Sequence, residues 1–203
     1  LDDGLRLYQS PDILAVGWLA NLVRERLNGN RAYFIYNQHI NYSNICTNLC
    51  KFCAFGRRKD DDLAYEMSIE EVKEKVRQRL DEPIVEIHMV GGLHPDLPFD
   101  FYLEMLAAIK ADNPELHIKA FTAVEIDYFA QLTKQSVEQV LQELKAAGLE
   151  SMPGGGAEIL GKRVRDIICP EKISGERWLE IIEQVHRSGL KSNATMLFGH
   201  VEK

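Results

Sequence analysis

The chain has 203 residues, 45% of them hydrophobic and 27% charged, and 24 basic against 31 acidic side chains give a formal net charge of −7. That composition belongs to a folded domain long enough to bury its own core. The acidic balance argues against a nonspecific nucleic-acid binder, which needs a basic stripe, and no apolar run approaches the roughly 18 residues of a membrane-spanning helix.

Residues 10–28 read as a helix, with Ser10 as its cap, Pro11 in the first turn and Asn28-Gly29 as its stop. A short apolar run, Ala32–Tyr36, leads to a strand over 39–42. Ser68 and Glu71 have the spacing of a capping box, and Ile69, Val72, Val76 and Leu80 follow at helical intervals. The pattern then alternates. Strands are predicted at 84–90, 116–122, 149–152 and 191–198, and helices at 99–111, 136–147 and 174–188. Alternation of this kind predicts βαβ units and a parallel sheet, either open and doubly wound or part of a (β/α)₈ barrel. Periodicity leaves both open, and a fifth strand so near residue 203 is too early to close a barrel. Trp18 and Trp178 fall on helices and read as core.

Four cysteines are present, and Cys46, Cys50 and Cys53 form a C-x3-C-x2-C run. Such crowding suits a metal or cluster in a reducing compartment, hence the cytoplasm, better than a disulfide framework. The first residues carry no basic and apolar stretch of a secretory signal. Thiolates on one loop can hold three corners of an iron–sulfur cube and leave one iron free. Rival readings are a zinc site completed by His39, or three unrelated thiols. Cys169 lies far downstream, and no role is read for it or for His200.

Further polar groups fall at the ends of successive strands. They are Gly91-Gly92, Thr122 with Glu125, Gly154-Gly155-Gly156-Ala157-Glu158 followed by Arg163 and Arg165, and Asn193, Thr195 and His200. Ligands bind at that edge in open sheets and barrels alike. The glycine run lacks the lysine of a P-loop. His88, His117 and His186 read as structural, whereas His94, just beyond the glycine pair, is a candidate for function.

The thiol run ending in Phe52-Cys53, with Gly91-Gly92 after the next strand, resembles the radical S-adenosylmethionine (SAM) superfamily. Segments 90–95, 117–125, 152–158 and 193–196 resemble the aminofutalosine synthase family of the futalosine route to menaquinone. Lys119-Ala120-Phe121-Thr122-Ala123 favours it over its sisters, the dehypoxanthine futalosine cyclase and the F0 synthase, although Tyr42-Ser43 departs from the usual Pro-Thr-like pair. The resemblance implies a partial (β/α) TIM-type barrel over residues 38–203, truncated after about its fifth strand and preceded by a helical extension over 1–37. It implies a [4Fe-4S] cluster on Cys46, Cys50 and Cys53, with SAM met by Gly91, Gly92, Glu158, Arg165, Asn193 and Thr195. Arg165 would pair with a carboxylate. The 5′-deoxyadenosyl radical would add to 3-[(1-carboxyvinyl)oxy]benzoate, held by His94, Lys119 and Thr122. A flavodoxin or ferredoxin would supply the electron, and neither nucleic acid nor membrane would be a partner. The alternatives are a sister radical enzyme, or an iron–sulfur or zinc module without a substrate.

Overall fold

Five short strands, each hydrogen-bonded to the next strand in the chain, organise the protein, which is described here from a computed structural model over residues 1–202. They are β1 (Asn37–Ile40), β2 (Glu86–Met89), β3 (His117–Ala120), β4 (Ser151–Met152) and β5 (Lys191–Ser192). All four pairings are parallel and the order is β1-β2-β3-β4-β5. A doubly wound sheet reverses its order at a switch point. This sheet never does, so the sequential order selects the partial TIM-type barrel.

Eight helices complete the described chain: α1 (Asp2–Gln9), α2 (Ile13–Asn28), α3 (Ile69–Arg77), α4 (Phe99–Asp112), α5 (Ala123–Thr133), α6 (Val137–Ala147), α7 (Lys162–Ile168) and α8 (Gly175–Arg187). Two compact units emerge, Leu1–Ile35 and Tyr36–Lys203. In the first, Asp12 rather than Ser10 caps α2, accepting from the Ala15 N–H at 2.9 Å, so Pro11 lies before the helix. Neither α1 nor α2 buries a residue, and Trp18 is 63% exposed, contrary to its core reading.

In the second unit the strands divide their side chains by alternation. Ile40, Ile87, Met89, Ile118, Ala120 and Met152 join one buried cluster with Val72 and Val76 of α3, Leu106 of α4, Val140 and Leu141 of α6, and Ile181 and Val185 of α8. Burial of each Ile, Val, Leu or Met among them contributes about 1.5–3 kcal/mol. The opposite, inner face carries Asn37, His39, Glu86, His88, His117, Lys119, Ser151 and Lys191 in register. It is polar throughout.

Local signals explain most of the helix starts. The Ser68 and Glu71 box forms as expected, but α3 ends at Arg77 and leaves Leu80 exposed. Ser136 and Gln139 make a second box on α6. A third, Thr122 with Glu125, starts α5, a helix that the strand-end reading of this pair passed over. Strands are shorter than their apolar runs, and β5 stops at Ser192 rather than running to Phe198. No helix among the described residues is long and apolar enough to cross a membrane.

Candidate active site

A cavity of about 560 Å³ opens at the C-terminal edge of the sheet. Cys46, Cys50 and Cys53 line it from the loop after β1, Gly91 and Gly92 from the exit of β2, and Thr122 and Glu125 from the start of α5. The Gly154–Gly156 run, Lys172, Asn193 and Thr195 close the far side.

Backbone hydrogen bonds set the thiol loop against the β2 exit. The Thr47 N–H donates to the Leu93 carbonyl at 3.0 Å, and the Gly92 N–H donates to Ser43 O at 3.0 Å. The Leu93 N–H reaches Cys46 Sγ and the Gly56 N–H reaches Cys53 Sγ, both at 3.3 Å. The glycine pair is enforced by this approach. A Cβ on Gly92 would lie 2.0 Å from the Ile45 carbonyl oxygen, and one on Gly91 would lie 2.4 Å from the Tyr42 ring.

Behind the glycines sits a buried carboxylate. Glu125 is 2% exposed. It accepts from the Tyr42 hydroxyl at 2.8 Å, the Gly91 N–H at 3.2 Å and the Thr122 N–H at 2.7 Å. Burial pushes its carboxyl upward while these donors pull it back, and burial followed by the nearby carboxylate raises the Tyr42 phenol well above its ordinary value. Tyr42, Tyr102, Phe121 and Phe129 pack mostly edge to face beneath the network. Glu125→Gln turns an amide N–H₂ toward donors, so unfolding should show a loss of about 1–3 kcal/mol. An unchanged denaturation midpoint would show that the carboxylate does not fasten Gly91.

The three thiols fit a cluster in their chemistry and placement. Burial raises Cys46 and pushes Cys50 up to about 11, with Lys172 opposing the latter. Thiols that burial keeps protonated become thiolates when a metal's charge compensates them. Among the described residues no three His, Cys, Asp or Glu side chains converge on a single ion. Three thiols on one loop can each hold one corner of a multi-iron cluster. His39 lies on β1, its ring stacked 5.0 Å from that of His88, and does not complete the thiol set. Cys169 is 1% exposed and packs with Val164 and Ile168 against Cys50 and Phe52, under the loop.

Not every expected residue reaches the cavity. Arg165 is buried, and its guanidinium donates to the carbonyls of Gly156, Ala157, Ile159 and Ile173. It is committed to the backbone and has no free fork for a carboxylate. Glu158 pairs with Lys172 at 2.5 Å and lies outside the lining. His94 is 1% exposed, its Nδ1 accepts from the Asp96 and Leu97 N–H groups, and its Nε2 faces Glu66 at 2.7 Å. It braces the loop after β2. Lys119 sits within β3 on the inner face, below the lining rather than in it. Gly91, Gly92, Thr122, Asn193 and Thr195 do line the cavity, although the Thr195 hydroxyl donates to Gly154 O at 2.8 Å. His200 pairs with Glu202 at 3.1 Å.

Lys172 and Glu125 went unassigned as site residues in the sequence. Glu125 had a visible signal in its capping-box spacing. Lys172 had none, since only the fold brings its Nζ to 5.1 Å from the centre of the Phe52 ring.

Known proteins give the same picture. An aminodeoxyfutalosine synthase of Thermus thermophilus is 44% identical over 201 residues, 99% of this chain and 54% of its own. A 5-amino-6-(D-ribitylamino)uracil–L-tyrosine 4-hydroxyphenyl transferase of Methanopyrus kandleri is 42% identical over 183 residues, 90% of this chain and 50% of its own. The chain thus spans about half the length of the curated relatives it matches. The crystal structure of methylornithine synthase (PylB) shares the fold, with a TM-score of 0.68 at 18% identity over 89% of this chain and 49% of that one. The model of the radical SAM superfamily matches residues 40–203. Because that match begins at the last residue of β1 and takes in every element around the cavity, the chain belongs to the radical SAM superfamily.

Proposed function

We propose that this chain carries the cluster- and SAM-binding part of an aminodeoxyfutalosine synthase, which joins the 5′-deoxyadenosyl group of SAM to the enolpyruvyl double bond of 3-[(1-carboxyvinyl)oxy]benzoate. The observation that carries the reading is the placement of three half-exposed to exposed thiols beside a sterically enforced glycine edge, at the mouth of a sequentially ordered parallel sheet. The 44% identity to the Thermus thermophilus synthase supports the particular reaction.

Each residue's part follows from its surroundings. Cys46, Cys50 and Cys53 would hold the cluster, with the N–H groups of Leu93 and Gly56 placed to stabilise charge on the Cys46 and Cys53 sulfurs. A cluster held by these thiols would supply the single electron needed for reductive cleavage of the SAM sulfonium to methionine and a 5′-deoxyadenosyl radical. A flavodoxin- or ferredoxin-type protein serves as the electron donor. Gly91 and Gly92 present backbone where any side chain would clash, so the methionyl end of SAM can lie against them. Asn193 and Thr195, on the far rim, are placed to meet the nucleoside. The apolar side chains of Phe52, Phe55, Val90 and Val124 also line the cavity and limit water at the reacting carbon.

A second reading, the tyrosine 4-hydroxyphenyl transferase, is favoured by the 42% identity to the Methanopyrus kandleri protein. Product analysis separates the two. The protein is reconstituted anaerobically with iron and sulfide, reduced, and given SAM with either the enolpyruvyl benzoate or tyrosine. The expected result is a product that retains the adenosine unit, formed only from the benzoate. Free 5′-deoxyadenosine released with tyrosine would replace this reading by the second. With dehypoxanthine futalosine as substrate, the same release would indicate the cyclase.

A further inference from the structure

One row of side chains crosses the whole sheet on its inner face. Parallel register aligns His39 of β1 with His88 of β2, Lys119 of β3, Ser151 of β4 and Lys191 of β5. The row lies in the layer beneath the cavity, and His88 belongs to the cavity wall. Ser151 is taken up by His117, whose Nε2 lies 2.7 Å from its Oγ. The side chains of His39, His88 and Lys119 have no hydrogen-bond or ion-pair partner among the described residues, and the His39 and His88 rings lie 5.0 Å apart, tilted by 43°. Glu86, one layer deeper, is held by the Asn37 side-chain N–H₂ at 3.1 Å.

An ammonium on a partly buried face ordinarily acquires a counter-charge. Here Lys119 lies in register with the imidazoles of His88 and His39 on one face of the sheet. Burial, then His39 and Lys119, push His88 below its ordinary value against the pull of Glu86, which favours the neutral imidazole with one N–H to donate. Lys119 thus offers one fixed charge beside imidazole N–H donors, in the row that meets the cavity at His88.

We propose that His39, His88 and Lys119 form an anion subsite that takes a carboxylate of the substrate, with Lys119 as its fixed charge. The identity of that substrate rests on the function proposed above, but the subsite does not, since it requires only a carboxylate-bearing small molecule. Lys119, expected from the sequence to reach the substrate, takes that part from the barrel floor rather than from the rim.

The test uses two probes, benzoate and its neutral isostere benzamide, titrated into the cluster-reconstituted protein in the presence of SAM. Wild-type protein should prefer benzoate. Lys119→Gln and, independently, His88→Gln should each weaken benzoate binding about tenfold or more, the scale of a lost charge-assisted hydrogen bond. Benzamide binding, cluster absorbance and melting temperature should stay within error, and Lys119→Arg should restore much of the loss. A wild type that does not discriminate the probes overturns the subsite. So do two folded, cluster-loaded variants that bind benzoate like wild type. Neither result bears on which product the enzyme makes, so the failure of one proposal is readable apart from the other.

Discussion

Gly92→Ala is expected to destabilise the protein by about 3 kcal/mol or more and to abolish stable iron–sulfur incorporation. The added Cβ would stand 2.0 Å from the Ile45 carbonyl oxygen, 2.6 Å from its carbon and 2.9 Å from Cys46 Cβ. Two of these are backbone atoms of the loop that carries the first thiol, so no rotamer change relieves the overlap. The β2 exit and the thiol loop must separate. That movement breaks the Gly92 N–H bond to Ser43 O and the Leu93 N–H bond to Cys46 Sγ. Overpacking at a yielding site costs about 1–3 kcal/mol, and a backbone clash lies at or above that range. Chemical denaturation of the apo protein gives the stability, and iron and sulfide content after reconstitution gives the loading. A variant that keeps both would mean that the close approach is not needed.

Arg165→Ala carries the second large expectation. It separates two roles for the same residue. An arginine that bound the carboxylate of SAM would, when removed, weaken SAM binding and leave the fold intact. Instead, Arg165 donates to four carbonyls, in the Gly156–Ile159 turn and at Ile173 before α8. Alanine leaves these carbonyls without donors in a site that was 4% exposed. Bonds from a charged donor contribute about 1.5–3 kcal/mol each, and they are not additive around one guanidinium. A loss of about 3 kcal/mol is therefore expected, and Arg165→Lys should recover little of it, because one ammonium cannot span the same carbonyls. Equilibrium unfolding and SAM binding on the same sample decide the matter. Unchanged stability with weakened SAM binding would return Arg165 to the cavity.

These two residues show what was legible in the sequence and what was not. The thiol spacing and the glycine pair are local in the chain, and both line the cavity. The alternation of strands and helices gave the parallel sheet, but only the order of pairing distinguished barrel from doubly wound fold. Arg165, Glu158 and His94 carry polar groups at the expected edge, yet each is taken up by a protein partner: backbone carbonyls, Lys172, and the Asp96 and Leu97 N–H groups with Glu66. A polar residue beyond a strand has two uses, ligand contact or loop bracing. Sequence position does not separate them, because bracing depends on where the loop turns. Thr122 and Glu125 line the cavity and brace it as well, since the capping box that starts α5 also fastens the glycine edge.

Strand order has one more consequence, for assembly. Each strand pairs with the next strand to be synthesised, so the sheet can grow from β1 onward without waiting for a distant partner. Neighbouring pairings of this kind keep loop-closure costs low and let a chain organise progressively as it is made. The thiols follow β1, and the glycines that seat them follow β2. The Cys46 side of the thiol loop therefore meets the glycine edge once the first two strands have paired, whereas Cys50 and Phe52 gain their support only when Val164, Ile168 and Cys169 arrive. A nascent chain halted just past α4 would hold Cys46 against the Leu93 N–H, but the full set of three thiols would be fixed only after α7 has formed beneath Cys50.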